Sequence, residues 1–499
     1  MAGEKPEGGR VDGDSLRVVL GFACNQAFLF SLFYLGENRA LGADPFAFER
    51  ADLFGVLLCM VLSFMLLLNV STRARTALLS PPLLVCYAIL IVVGSSVSDL
   101  METSLGSIAF ESATVGLSSG FLLIAWGNAF DGRSVGNSIR AVFVGSALAA
   151  LLCLAVSALQ VDAFKLVLNL LPLVSAAMLY QLAEPGRKRT GGATSARSDR
   201  RIRIVDLLAT KEQREQAVRI SRKIIAGTAL FGTAAGLMEA FASEPGLDAM
   251  PAYPATFILL VIFGMAAIQL INTGGFDEEG EQPPAAQEMR LDSVYRLAIF
   301  VMMAGFLLVP VLSSFGVTGE SIVLAGYLGL FCVLVCLFLV MSKIHAQDPA
   351  LSFARGFSAL YAGEMVGILV GNGVEFLGLS ESMSYTVMAC AGITALFAYL
   401  FLFTEQDFRA LSVIVSEVDT IDEACNKIVQ DFGLSKREAE ILPLVLKGRS
   451  GERIAAELYI SKSTVDTHLR RIYGKTGTHG RQELIDLGER TMKELGRRM

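Results

Sequence analysis

Twelve long apolar runs, separated by short polar connections, constrain this chain more than any other feature of its sequence. A helix needs about 20 consecutive apolar residues to cross the hydrocarbon of a bilayer. Runs of about that length fall near 16–36, 52–70, 79–98, 105–128, 139–159, 163–183, 223–242, 254–273, 294–315, 320–343, 354–378 and 382–404. Composition points the same way. Hydrophobic residues make up 53%, charged residues 18%, and mean hydropathy is +0.55, so most of the chain is expected in lipid. The fold class predicted is all-α: a polytopic membrane helix bundle of six plus six transmembrane helices, followed by a four-helix C-terminal domain.

Residues 1–15 are polar and glycine-rich and read as a disordered N-terminus. Glu4, Glu7, Asp12 and Asp14 outnumber Lys5 and Arg10, and the next apolar run is too long for a cleaved leader. The eight cysteines are scattered without a CxxC pair, which predicts neither a disulfide framework nor a metal site. His345, His468 and His479 lie too far apart in role to build one. No nucleophile–base pair and no phosphate loop stands out. No catalytic residue, metal or cofactor is therefore assigned, and an enzyme is not expected.

Orientation follows from Lys and Arg. Odd-numbered connections hold only Arg39, Arg50 and Lys165. Even-numbered ones hold Arg73, Arg75, Arg133, Arg140, Arg290, Arg296, Lys343 and Arg355 at or near their edges. The sixth, 184–222, adds Arg187-Lys188-Arg189 and Arg200-Arg201. This bias predicts a multi-pass protein of a bacterial cell membrane with both termini cytoplasmic.

Six spans, a long basic connection and six more spans resemble the layout of the major facilitator fold. The second connection, Asn69 to Arg75, keeps only scattered arginines of that fold's G-x-x-x-D-R-x-G-R-R loop, which argues against transport. Ionisable groups inside spans are costly and usually functional. Glu111, Glu239, Glu364 and Glu375 qualify, and Glu364 and Glu375 are three helical turns apart on one face. Asn25 and Gln26 sit mid-span in the first helix. The facilitator resemblance implies that the first, fourth and seventh helices line a central cavity. The candidate ligand residues are therefore Asn25, Gln26, Glu111, Glu239 and Glu364. No cation lies deep in a span to pair with the carboxylates, so the predicted pocket suits a donor-rich or cationic small molecule, or a proton. The plainer alternative is that Glu239 and Glu375 merely end their helices at the interface. Gly363, Gly367 and Gly371 repeat every four residues, the pattern of close helix packing. Trp126 reads as an interface anchor.

Past 404 the chain turns polar. Residues 405–432 read as a helical linker, with Ile421, Ala424, Ile428 and Phe432 on one side. Residues 433–495 read as four short helices. Ser435 and Glu438 have capping-box spacing, and Gly448 is placed to stop the first helix. Ser450 and Ser461 precede the next two. Apolar residues recur at helical spacing: Ile441, Leu444 and Val445, then Ile454, Ala455 and Leu458, then Val465, Leu469 and Ile472. The free face of the third helix carries Lys462, Ser463, Thr467, Arg470 and Arg471, a cationic and hydroxylated surface suited to a DNA major groove. From Phe432 to Met499 there are 14 Lys and Arg against 9 Asp and Glu, a net charge of +5 in a chain of −6.

Leu434-Ser435-Lys436-Arg437-Glu438-Ala439-Glu440-Ile441-Leu442, Gly448-Arg449-Ser450 and Ile454 through Lys475 resemble the LuxR-type helix-turn-helix family closely and without gaps. Two positions depart from it. Asp466 stands where the family usually has Lys or Arg, and Thr476 replaces a core leucine. The resemblance implies DNA contact by Lys462, Ser463, Thr464, Thr467, His468, Arg470, Arg471 and Lys475, with His468 largely structural. Lys462, Thr467 and Arg470 are expected at base edges, and Thr464 and Lys475 at phosphates. It also implies a homodimer through the last helix. The expected partners are double-stranded DNA, the lipid membrane and an unidentified small molecule. The whole reads as a membrane-bound one-component transcription regulator that senses that molecule through its bundle. The alternative is a transporter-like protein that also regulates transcription.

Overall fold

The computed structural model describes residues 13–496 except 35–38, 44–45, 99–103, 131–132, 134, 160, 184–210, 243–251, 273–290, 313–318, 345–347, 378–379, 403–406, 408–420, 422–423 and 459. The basic triplet at 187–189, the acidic run 277–281 and most of the polar stretch 405–420 lie outside the described residues.

Helices stand at all twelve positions read from the apolar runs. They are α1 (Gly13–Tyr34), α2 (Ala51–Asn69), α4 (Pro81–Ser98), α5 (Leu105–Ala129), α6 (Val135–Ser157), α7 (Val161–Ala183), α8 (Lys211–Ala242), α9 (Ala252–Asn272), α10 (Leu291–Leu312), α11 (Gly319–Ile344), α12 (Pro349–Phe376) and α13 (Ser380–Phe397). A short α3 (Thr72–Leu78) meets α4 at a bend of 53°. Among the described residues, nine helices are long and apolar enough to cross a bilayer, or ten if α3 and α4 count as one broken span. Two boundaries shift. α1 begins at Gly13, inside the stretch expected to be disordered, where Asp14 pairs with Arg17 one turn on. α8 begins at Lys211, well inside the expected sixth connection.

Two six-helix groups result. In the first, α1 packs on α6 and α7, α4 on α7, and α2 on α5. In the second, α8 packs on α12 and α13, and α11 on α9 and α10. The groups meet where α2 lies on α12 and α6 on α9. Leu62, Met65, Leu151, Leu166, Ile262, Phe300, Leu307, Leu369 and Val370 point outward and are exposed. Outward leucines at this density are what lipid, not water, permits.

The closest helix pair explains the glycine repeat. A Cβ on Gly363 would strike the Ala229 carbonyl oxygen, and one on Gly367 the Thr233 carbonyl oxygen. Across the seam, a Cβ on Gly232 would strike the Leu360 carbonyl oxygen and one on Gly236 that of Glu364. Backbones can touch only where side chains are absent, which is how small residues drive helix association in lipid. The partner glycines on α8 carry the same four-residue spacing in Gly232-Thr233-Ala234-Ala235-Gly236. Sequence reading had singled out the repeat on one side of the seam only.

The chain after the bundle builds a second, separate core. Helix α14 (424–431) precedes α15 (Lys436–Leu446), α16 (Gly451–Glu457), α17 (Lys462–Thr476) and α18 (Arg481–Gly496). Ile441, Leu444, Val445, Ile454, Ala455, Leu458, Val465, Leu469, Ile472 and Leu484 are all buried in it. So are Cys425 and Ile428, and Ile421, Val429 and Phe432 pack against them. The segment read as a linker therefore supplies part of the domain core from about Ile421 onward. A fragment starting at 433 will be less stable to urea than one starting at 417, by about 2–3 kcal/mol. That is the worth of burying Ile428 with its neighbours. Equal midpoints and slopes would refute the assignment.

Candidate functional site

The DNA-facing domain follows its local rules. The Ser435 N–H donates to Glu438 Oε2 at 2.7 Å, the reach-back of a capping box. Ser450 accepts from the Arg453 N–H at 3.3 Å and Ser461 from the Thr464 N–H at 3.1 Å, capping α16 and α17. Gly448 and Gly477 end α15 and α17 with positive φ, 73° and 67°. Thr476, where the LuxR family has leucine, is buried, and its hydroxyl donates to the Ile472 carbonyl at 2.9 Å. The bond back to its own helix meets the polar cost of that exchange.

On α17 the exposed residues are Lys462, Ser463, Asp466, Thr467, Arg470, Arg471, Gly474 and Lys475. Thr467 Oγ1 donates to the Ser463 carbonyl. Thr464 is half-buried beside the Ser461 cap. His468 is half-buried with Nδ1 lacking a hydrogen-bond partner. Lys462 pairs with Glu452 at 2.8 Å. This mutual bond holds the Glu452 carboxyl below the usual carboxylate range and Lys462 above the usual lysine range. Both side chains are well exposed, so the pair is weak and yields readily to phosphate. Lys475 has a second role. Its Nζ donates to Glu438 Oε2 at 2.7 Å and to the Gly433 carbonyl at 3.1 Å, tying the end of α17 to the start of α15. Burial pushes the Glu438 carboxyl up, but bonds from Lys475 and Ser435 outweigh it and hold it below the usual range.

Inside the bundle, a second site forms around residues from far apart in the chain. The α8/α12 glycine crossing brings Glu239 and Glu364 close, and both are buried. The expectation of no deep cation is overturned. Arg50 comes from the first connection, yet it is only 2% exposed and lies 3.6 Å from Glu239 Oε2. Its guanidinium also donates to the Phe33 carbonyl. A two-stranded hairpin, β1 (Leu41–Ala43) paired antiparallel with β2 (Phe46–Phe48), carries Arg50 inward. Arg50 sits in the left-handed region at φ 55°, the sole such non-glycine among the described residues. That conformation costs about 1–2 kcal/mol, and the structure holds it from both sides. Asn372 accepts from the Glu49 N–H at 2.6 Å and donates to the Glu49 carbonyl at 3.2 Å. No local sequence pattern marks a connection that folds back between spans, so Arg50 escaped the sequence reading.

The sequence candidates divide. Gln26 and Glu239 line two adjoining internal cavities that share Tyr34 and Tyr327. Glu364 lies against this group, with Glu239, Arg50 and Tyr327 as its electrostatic neighbours. Glu111 is elsewhere, half-buried and paired with Arg39 at 2.6 Å. Asn25 is buried and does not line either cavity. Glu239 lies in the last described turn of α8 but is buried beside Arg50, whereas Glu375, near the end of α12, is half-buried. Trp126 is not an interface anchor. It is fully buried and donates Nε1–H to Ser175 at 2.9 Å, because the bundle closes over that edge. At the opposite end of the bundle, Arg75 lies 3.7 Å from Asp348 and Lys223 pairs with Asp407 at 2.7 Å.

Residues 433–487 match the family described as GerE: Bacterial regulatory proteins, luxR family. This segment is a LuxR-type helix-turn-helix domain, and it is joined in one chain to a bundle of membrane-length apolar helices. The HTH-type transcriptional regulator MalT of Serratia proteamaculans (strain 568) is 33% identical over 70 residues, which are 14% of this chain and 8% of that protein. Among solved structures, the chain is similar to an auto-inhibited POT family peptide transporter (TM-score 0.47, 13% identity, covering 81% of this chain and 97% of that one). It is also similar to the human organic anion transporter MFSD10 (TETRAN) (0.49, 14%, 79% and 100%) and to the proton:xylose symporter XylE (0.48, 14%, 81% and 98%).

Proposed function

We propose that this is a membrane-bound one-component transcription regulator, with both termini cytoplasmic, that senses a small molecule in its bundle. The observation that carries the reading is the union in one chain of a LuxR-type helix-turn-helix domain and a bundle that buries Arg50, Glu239 and Glu364 together. Helix α8 supplies the link between them. It bears Glu239 beside the cavities, and sixteen residues earlier Lys223, whose partner Asp407 stands where the chain leaves the bundle toward the DNA-binding domain. Ligand that favours one arrangement of α8 therefore biases the root of that connection, as differential binding to two states requires. Two copies paired through α18 would read paired half-sites. Lys462, Ser463, Thr464, Thr467, Arg470 and Arg471 make the DNA contacts. Lys475 holds the fold and reaches phosphate only by giving up Glu438.

In a gel shift, residues 417–499 will retard duplex DNA, with affinity falling steeply as salt rises. Arg470→Ala will weaken specific binding by about 1–3 kcal/mol, roughly 5- to 150-fold, and relax selectivity at one base position. Lys462→Ala will weaken it less, since its charge is already shared with Glu452. No retardation at low salt would end the DNA reading.

A second reading, transport by the same bundle, draws on polar ties at both of its ends, Arg50 with Glu239 and Arg75 with Asp348. Gradient-driven accumulation of labelled ligand in vesicles, abolished in Glu364→Gln, would favour it.

A further inference from the structure

Resting on the DNA-binding reading proposed above, we infer that Asp466 is a specificity-determining residue that reads cytosine in the major groove. It is the sole acid of α17, and it is exposed. Lys462 precedes it by four residues and Arg470 follows it by four, so the three form one stripe along the helix. Val465, Leu469 and Ile472 are buried on the other side. A helix that brings Lys462 and Arg470 to base edges therefore brings Asp466 between them.

Among the described residues, none occupies this carboxylate. Lys462, one turn earlier, donates its hydrogen bond to Glu452 at 2.8 Å instead. Asp466 has no hydrogen bond and no ion pair with any described residue. Across the turn, its Oδ1 lies 3.6 Å from where a Cβ of Gly451 would stand, without a bond to that residue.

An ionised carboxylate only accepts hydrogen bonds. Over the sugar-phosphate chain it would subtract from the attraction that the domain's excess of Lys and Arg provides. At base edges it finds donors. The major groove offers two amino groups, N4 of cytosine and N6 of adenine. Adenine sets its N7 acceptor beside that amino group, where it meets the second carboxylate oxygen with like partial charge. Cytosine sets no acceptor of its own there. A carboxylate thus selects cytosine and penalises a base pair that offers an acceptor in its place. Asp466 lowers general affinity and raises discrimination. An asparagine amide at the same place is a different reader, since it donates to N7 of adenine and accepts from N6.

The test selects from a randomised duplex library with the full-length protein in lipid nanodiscs and sequences what is bound. The wild type should enrich sites in which one position is cytosine at least about 5-fold over any other base. The near-isosteric Asp466→Asn should convert that position to adenine. Asp466→Ala should leave it without preference, while the other positions keep theirs. Asp466→Ala should also bind unmatched duplex at least as tightly as the wild type, because a repulsive charge is gone. Asp466 is exposed and unbonded, so both variants are expected to fold. A wild-type profile without such a cytosine overturns the inference, and so does a cytosine that survives both substitutions. Variants that melt lower with an unaltered profile would make Asp466 a structural charge at the start of α16, and overturn it as well. If the wild type enriches no sequence and retards no duplex at low salt, the DNA reading itself falls. An enriched profile indifferent to Asp466 sinks this inference alone.

Discussion

Replacing Arg50 by alanine will destabilise the membrane bundle by roughly 3–5 kcal/mol, more than any other single charge change in the described chain. Arg50 and Glu239 are 2% and 7% exposed, so neither can fall back on water when its partner is lost. The substitution leaves Glu239 and Glu364 facing each other without a counter-charge and frees the Phe33 carbonyl. It also removes the anchor of the hairpin, whose other tie is Asn372. Arg17→Ala is the control. Its pair with Asp14 is nearly a third exposed on each side and should be worth under about 1 kcal/mol. The measurement is thermal unfolding of purified full-length protein in detergent. Removing both partners, Arg50→Met with Glu239→Gln, should recover part of the loss, because what costs is the orphaned charge and not the absence of the pair. A single variant as stable as wild type would show that Arg50 is not bound inside the bundle.

Gly236→Val should be the most damaging apolar substitution. A Cβ there lies 2.7 Å from the Glu364 carbonyl carbon and closer still to its oxygen, so α8 and α12 must move apart along their backbones. No side-chain rotamer relieves a clash between a Cβ and a carbonyl. Overpacking of this kind costs about 1–3 kcal/mol, and more when neighbouring positions lose their fit as well. Gly232, one turn away on the same seam, will lose its own fit. Gly373→Ala on α12 is the matched control, since nothing lies within 4 Å of the Cβ it would add. Its effect should stay within about 0.5 kcal/mol. Because the same crossing sets the separation of Glu239 and Glu364, Gly236→Val should also abolish ligand-dependent change in DNA affinity. Normal folding with an intact response would refute the close crossing.

The C-terminal domain was legible almost residue by residue. Its caps and its buried positions are decided within three or four residues of each other along the chain. Ser435 with Glu438, Ser461 with Thr464, and the Val465, Leu469, Ile472 stripe are all short-range relations. The family match begins at 433, where the domain was read to start, but residues before it also join the core. Ile428 was recognised on the apolar side of an amphipathic stretch, but not as part of the domain core, and Cys425 was not singled out. An apolar face shows that something covers it and does not show what.

The sequence by itself determined that the chain is built mainly of helices, that many of them are long and apolar enough to cross a bilayer, and that its end carries a LuxR-type helix-turn-helix domain. It did so because span length, apolar periodicity and capping are properties of neighbouring residues. Tertiary structure alone decided which charges meet. Arg50 reaches Glu239 across 189 positions, and Asn372 holds Glu49 across 323. Glycines on two distant helices then set the depth at which the carboxylates face each other. Those pairings are written in how the helices cross, and no stretch of sequence short enough to read as a motif contains both partners.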